Sequence, residues 1–230
     1  LIFRTDRIGD FLISAILIKC IKINDPKSHI TVIASKKNFS YIKNFLYVDD
    51  VIKLQNNIIS KISLIFKLRN NRFKNIIIHD NKKRSKFISL FLKSSSKIFL
   101  KNCDKLSHIK SIKIILKKLN LSFFEDSLNV LNYEYKKKKH NNNIVQLHFD
   151  EKWIYNSYIS KFVNIEPNEN ELIVFINNII KKTNKELIIT TGQILPKVLR
   201  NILPKIGKMN IKLYDNLNFL ELENITLESR

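Results

Sequence analysis

The chain reads as an α/β protein whose parallel sheets fall in two successive domains, and three observations in its 230 residues predict this. Short β-branched runs alternate with longer amphipathic stretches, the pattern of strands joined by crossover helices. A polar, basic segment, Asn132 to Asn143, interrupts the alternation with four consecutive lysines and almost nothing to bury. Beyond it the alternation resumes, so a first domain is expected over 1–138 and a second over 139–230.

In chain order, strands are predicted at Leu1–Phe3, Ile30–Ala34, Val51–Leu54, Ile76–His79 and Lys97–Leu100, each a short β-branched or aromatic run. Helices are predicted between them at Phe11–Ile23, Asn38–Phe45, Ile58–Arg69, Lys83–Leu92 and Leu106–Leu119. The first helix should stop at Asn24-Asp25-Pro26, because the residue before proline is driven out of the helical region. After the linker, strands are expected at Ile144–His148, Glu186–Thr191 and Ile211–Tyr214, with helices at Glu151–Lys161, Glu169–Lys182, Leu195–Leu203 and Phe219–Leu227. A doubly wound nucleotide-binding domain has about five or six strands, so this second domain is expected to be incomplete. The chain also begins with Leu in mid-strand and ends just after a helix, so both ends are expected to be cut.

The formal charge of +21 directs attention first to nucleic acid or an anionic membrane surface. Only seven of the 41 basic residues are Arg, the residue best suited to bidentate reading of phosphate or guanine. Lys, Asn and Ile share A/T-rich codons, so much of the charge is compositional. The two cysteines, Cys20 in an apolar helical run and Cys103 in a polar stretch, form no zinc or disulfide pattern, and a reducing compartment fits them. Lys19 and Lys22 break the longest apolar run below membrane-spanning length. A cytoplasmic protein, with peripheral contact at the inner membrane surface, is expected.

The opening segment holds the most information. A strand runs into Arg4-Thr5-Asp6-Arg7-Ile8-Gly9-Asp10 and then a helix that is apolar nearly all round. This sets a loop at the carboxyl end of a parallel strand, where open α/β sheets bind ligands. Gly9 would allow close backbone approach before the helix, and Asp10 falls at or near its N-cap. Capping alone would account for an aspartate there.

The stretch from Arg4 to Asn38, followed by Tyr47-Val48-Asp49-Asp50-Val51-Ile52, resembles the start of glycosyltransferase family 9, the heptosyltransferase-like enzymes. Members open with a strand, an R/K-T-x-x-x-G-D loop and a helix, then a second strand and an "np-x-v-d-x-v" turn. Gly9-Asp10 match the glycine-aspartate pair, and looser similarity continues through His108 ahead of a helix ending in Leu119-Asn120-Leu121. The resemblance implies a GT-B architecture of two Rossmann-like domains, with metal-independent, inverting transfer of a sugar. It implies Asp10 as general base on the acceptor hydroxyl, with Arg4, Thr5, Asp6, Arg7 and Gly9 forming the acceptor-binding loop. The donor would be a nucleotide-activated sugar, ADP-heptose, with no cofactor. The acceptor would be lipopolysaccharide core or a related lipid-linked glycan, and nucleic acid would not be a partner.

A second constellation is Leu147-His148-Phe149-Asp150-Glu151-Lys152-Trp153 at the start of the second domain. The family carries a K-x-W or K-W pattern there, which makes Lys152 a ligand of the donor phosphates, aided by a helix N-terminus. Members place a small Gly- or Thr-containing loop before that lysine, whereas here the acidic pair Asp150-Glu151 precedes it, and Lys152 is otherwise one of 34 lysines. Thr191 and Gly192, in Thr190-Thr191-Gly192 after a strand, match a small-residue turn on the donor side, although a plain strand-to-helix turn has the same composition. The family's D-[ST]-G-x-x-H donor signature does not occur up to Arg230 and is expected beyond it.

With three glycines the chain holds neither a P-loop nor a G-x-G-x-x-G turn, and it has no HExxH or nucleophile elbow. His79-Asp80 at a strand end could touch acceptor or simply end the strand. The competing function class is a basic protein binding nucleic acid or an anionic surface without catalysis, which requires basic and aromatic side chains to converge on one face.

Overall fold

The computed structural model describes residues 1–99, 107–130, 141, 143–149, 168–192, 195–206 and 210–229. It divides into two compact units, Leu1–Asn132 and Tyr133–Arg230. The boundary expected near residue 138 lies outside the described residues.

The first unit is a five-stranded parallel sheet of β1 (Ile2–Arg4), β2 (Thr31–Ser35), β3 (Asp50–Leu54), β4 (Arg72–Ile78) and β5 (Lys93–Phe99). Its order is β3-β2-β1-β4-β5, so the winding reverses between β1 and β4 and the loops after those strands diverge at their carboxyl ends. Ile2, Phe3, Val32, Ile33 and Ala34 are all buried, as both-face burial of central parallel strands requires. β4 and β5 each begin four residues earlier than their apolar runs. Arg72-Phe73-Lys74-Asn75 holds one apolar residue in four, alternates in exposure, and pairs in register with β5 from Arg72 opposite Lys93. An apolar run marks only the part of a strand covered on both faces.

The crossovers are α1 (Ile8–Asn24), α2 (Phe39–Lys43), α3 (Ile58–Leu68) and α4 (Lys83–Leu90), followed by α5 (His108–Lys118). α1 packs against α2 through Phe11, whose ring meets Tyr41 and Phe45 edge-on at 5.9 and 5.3 Å. It also packs against α5 and a short 3-10 turn, Glu125–Leu128, that the sequence did not signal. There Cys20 donates to Ser127 Oγ at 3.0 Å, a buried free thiol in a structural contact. α3 and α4 share one core: Leu64, Leu68 and Ile88 join Phe3, Ile33, Ile76 and Ile78 of the sheet. The family-like turn at Asp49 has a structural job. Its carboxylate accepts from Lys22 Nζ on α1, at 2.8 and 3.0 Å, and from the Ile30 N–H at 2.6 Å, pinning the last turn of α1 to the entry of β2.

The second unit contains β6 (Ile144–Phe149), β7 (Glu186–Thr191) and β8 (Ile211–Tyr214) in a three-stranded parallel sheet of that order. The three helices described in this unit are α6 (Glu169–Thr183), α7 (Lys197–Ile206) and α8 (Phe219–Glu228). The helix expected at Glu151–Lys161 lies outside the described residues. Reciprocal caps start α6 and α8: Asn168 accepts from the Glu171 N–H while Glu171 accepts from the Asn168 N–H, both at 2.9 Å, and Asn218 and Glu221 repeat the arrangement.

Candidate active site

Glycine is scarce, and asparagine takes its place at backbone positions that need it. The described non-glycine residues with positive φ are Asn81, Asn120, Asn184 and Asn216, all near +50°. Asn81 is the one that matters for the site, because it turns the chain from the end of β4 into α4 beside the end of β1.

Across that switch point the two loops are joined side chain to backbone. The Arg4 guanidinium, nearly sealed from solvent, donates from Nη1 to the His79 carbonyl at 2.6 Å and from Nε to the Asp10 carbonyl at 2.8 Å. Burial disfavours its charge, and Asp6, Asp10 and Asp80 oppose that effect. The buried Asp80 carboxylate accepts from the Thr5 hydroxyl, the Thr5 N–H at 3.3 Å, the Ser85 hydroxyl at 2.7 Å and the Lys82 N–H at 3.2 Å. Arg84 donates from Nη2 to the Thr5 carbonyl at 3.0 Å and to its Oγ1 at 2.8 Å. Asn38, fully buried, donates to the Arg4 carbonyl at 2.9 Å and accepts from the Ser35 N–H, tying in the end of β2.

His79 also faces inward. Its Nδ1 lies 2.7 Å from Ser14 Oγ on α1, and burial, with Arg4 and His108 adding to it, pushes the imidazole down to about 3. The ring is therefore neutral at ordinary pH.

This frame carries a cavity of about 750 Å³ at the carboxyl ends of the strands. Thr5, Asp6, Arg7 and Asp10 line it from the β1 loop, Ser35, Lys36 and Lys37 from the end of β2, Lys53 to Asn56 from β3, and Lys82 and Arg84 from α4's start. Six cationic side chains thus face two carboxylates. Lys82 Nζ pairs with Asp6 Oδ1 at 2.5 Å. The arrangement suits a ligand carrying several negative charges.

Asp10 is the third residue of α1, inside the first turn; Arg7 occupies the N-cap position. Its Oδ2 accepts from the Arg7 N–H at 3.2 Å, so it does cap the helix, from within. Oδ1 lies 3.8 Å from Arg4 Nη2, and the side chain is 47% exposed. Such a carboxylate is braced yet reachable, as a proton acceptor must be. Gly9 lies in the same first turn, and a Cβ built there meets nothing within 4 Å. The close backbone approach expected before the helix is absent within the chain, because Gly9 is already helical and open to solvent.

Of the other expected residues, Arg4 is buried as a brace and, like Gly9, does not line the cavity. In the second unit Thr191 is fully buried at the end of β7, its hydroxyl 3.2 Å from the carbonyl of neighbouring Gly192. Thr190 beside it receives Gln146 Nε2 at 3.0 Å and lies 3.1 Å from His148 Nδ1. Lys152 and Trp153 lie outside the described residues. Among the described residues no group of three or more His, Cys, Asp or Glu is placed to hold a metal ion. The basic clusters Lys36-Lys37 and Lys82-Lys83-Arg84 were not singled out from sequence. Their one signal is position directly after a strand, which a lysine-rich composition hides.

No family profile and no curated protein sequence matches the chain. Solved structures do. Escherichia coli heptosyltransferase WaaC with ADP superposes with a TM-score of 0.70 at 10% identity, over 98% of this chain and 77% of that one, and WaaC has also been solved with ADP-2-deoxy-2-fluoro heptose. E. coli ADP-heptose lipopolysaccharide heptosyltransferase II gives 0.64 at 11% identity, over 99% of this chain and 75% of that one. A glycosyltransferase family 9 protein of Veillonella parvula gives 0.54 at 12% identity, with 99% and 71% covered. The chain therefore has the α/β fold of the GT-B heptosyltransferases of glycosyltransferase family 9.

Proposed function

We infer that the protein is an inverting glycosyltransferase in which Asp10 is the general base. The observation that carries this is the Asp10 carboxylate itself, half-exposed in the first turn of α1 at the wall of a cation-rich cavity. In the proposed step the acceptor hydroxyl oxygen attacks the anomeric carbon from the face opposite the diphosphate. The new C–O bond forms as the bond to the diphosphate oxygen breaks, the electron pair leaves with the diphosphate, and the hydroxyl proton passes to Asp10. Arg7, Lys36, Lys37, Lys53 and Lys82 would receive the anionic groups of a glycan acceptor.

Heptose is the proposed sugar and ADP-heptose the donor, on the strength of the fold shared with enzymes solved with ADP and an ADP-heptose analogue. Lipopolysaccharide core on a lipid anchor, met at the inner membrane surface from the cytoplasm, is the proposed acceptor. Lys152, Thr191 and Gly192 are the proposed ligands of the donor phosphates, and no metal or cofactor is needed.

The test is transfer by the protein expressed from its natural gene, given ADP-heptose and a heptose-free lipopolysaccharide core. One ADP should be released per sugar transferred, with inverted anomeric configuration and no loss on adding EDTA. Retention of configuration, or abolition by EDTA, would contradict the reading.

A further inference from the structure

The outer faces of α3 and α4 are apolar where a surface helix should be polar. On α3, Ile58, Ile62 and Phe66 recur every four residues with Ile59 beside them, and Ile59 is 78% exposed. On α4 Phe87 and Leu90, and at its C-cap Phe91, are also exposed, with the two rings 5.1 Å apart. The inner sides of both helices already enter the core, so these side chains are surplus to the fold. The two helices cover one core, and at their amino-terminal ends Arg84 Nη1 in the first turn of α4 donates to Asn56 Oδ1, two residues ahead of α3. Isolated exposed apolar residues need no explanation, but seven on two helices that cover one core do.

Charge identifies the occupant. From Val51 to Phe99 the chain carries twelve Lys and Arg and one acid, and that acid, Asp80, is buried. Lys61, Lys67, Arg69, Lys83 and Lys86 are interspersed with these apolar residues along the chain, the segment carries no exposed carboxylate, and Arg69 stacks over the Phe66 ring at 4.6 Å. A second copy of the same face would meet like charge. Single-stranded nucleic acid would stack on rings, yet the most exposed side chains here, Ile58, Ile59 and Leu90, are aliphatic. An apolar surface whose own segment exposes only positive charge matches an anionic bilayer, with aliphatic chains entering the acyl boundary and ammonium groups at the headgroups.

We propose that the α3–α4 face docks the first unit on an anionic lipid surface. No described helix is long and apolar enough to cross a membrane, so this is contact from one side. Asn56, two residues ahead of α3, lines the cavity, so docking would bring lipid to the cavity's rim. Vesicle binding needs no sugar donor, so its outcome is separate from that of the transfer reading.

The test is cosedimentation of the 230-residue chain with phosphatidylcholine vesicles with and without phosphatidylglycerol. Binding is expected only with phosphatidylglycerol and should weaken as salt rises. Phe66→Ser and Phe87→Ser should each weaken it about tenfold, and Lys61→Gln about fivefold, with unchanged melting temperature. Val174→Ser on α6, an exposed apolar position in the second unit, should leave binding unaltered. Equal binding to both vesicle types, no binding, equal loss in the Val174 variant, or tighter capture of single-stranded DNA through the same side chains would overturn the proposal.

Discussion

Arg4 donates from Nε to the main-chain carbonyl of Asp10 at 2.8 Å, so a nearly sealed guanidinium beneath the loop holds the residue that carries the proposed base. The same group serves the His79 carbonyl across the switch point. A lysine ammonium cannot reproduce that planar fork. Arg4→Lys should therefore lower unfolding stability by about 2–3 kcal/mol and reduce kcat more than it raises KM. Urea denaturation with steady-state kinetics checks this; a variant as stable as the parent would remove Arg4 from the bracing role.

Asp80 accepts four hydrogen bonds from Thr5, Ser85 and Lys82, and an amide in its place would turn an NH₂ group toward donors. Asp80→Asn should cost about 1–3 kcal/mol. Asn81→Gly next to it should be tolerated, whereas Asn81→Val, forced to keep φ near 49°, should cost about 1–2 kcal/mol. Thermal melts of the three variants give the ranking directly.

His79 makes stability depend on pH in a defined direction. Its ordinary value is 6.5 and burial lowers it to about 3 in the folded chain. Below pH 6.5 the unfolded chain binds a proton that the folded chain refuses, so stability falls as pH falls, by about 1.4 kcal/mol per unit until pH nears 3. Above that window this group contributes no pH dependence. Between about pH 7 and pH 5, His79→Gln should lose roughly 2 kcal/mol less stability than the parent. Equal losses would show that His79 titrates normally.

Gly9→Ala tests the open helix start. A Cβ there meets no neighbour and the backbone is already helical, so stability should hold or rise by up to about 1 kcal/mol. If a substrate uses that space, KM should rise while the melting temperature does not fall. A destabilised variant would contradict a helix start with room for a side chain at Gly9.

Much of this was legible in the sequence for identifiable reasons. β1 and β2 are buried on both faces and so are continuous apolar runs, and the Arg4–Asp10 segment stood out because an apolar strand leads through it into an apolar helix. The outer halves of β4 and β5 were not legible, since Arg72–Asn75 and Lys93–Ser96 carry no apolar run. The frame beneath the site was hidden for another reason. Asn38, Asp80, Ser85 and Arg84 act through contacts with residues up to 79 positions away, and no local pattern encodes such partners. Lys36, Lys37 and Lys82 were visible as letters, but in a chain of 41 basic residues only the fold distinguishes those gathered around one cavity.

The central claim is the role of Asp10, and Asp10→Asn tests it most directly, because the amide keeps an oxygen to accept from the Arg7 N–H while losing the ability to take a proton. Measured with ADP-heptose and a heptose-free lipopolysaccharide core, kcat should fall about a thousandfold while the donor Kd and the melting temperature stay within error of the parent. Transfer at more than a tenth of the parental rate would contradict the account.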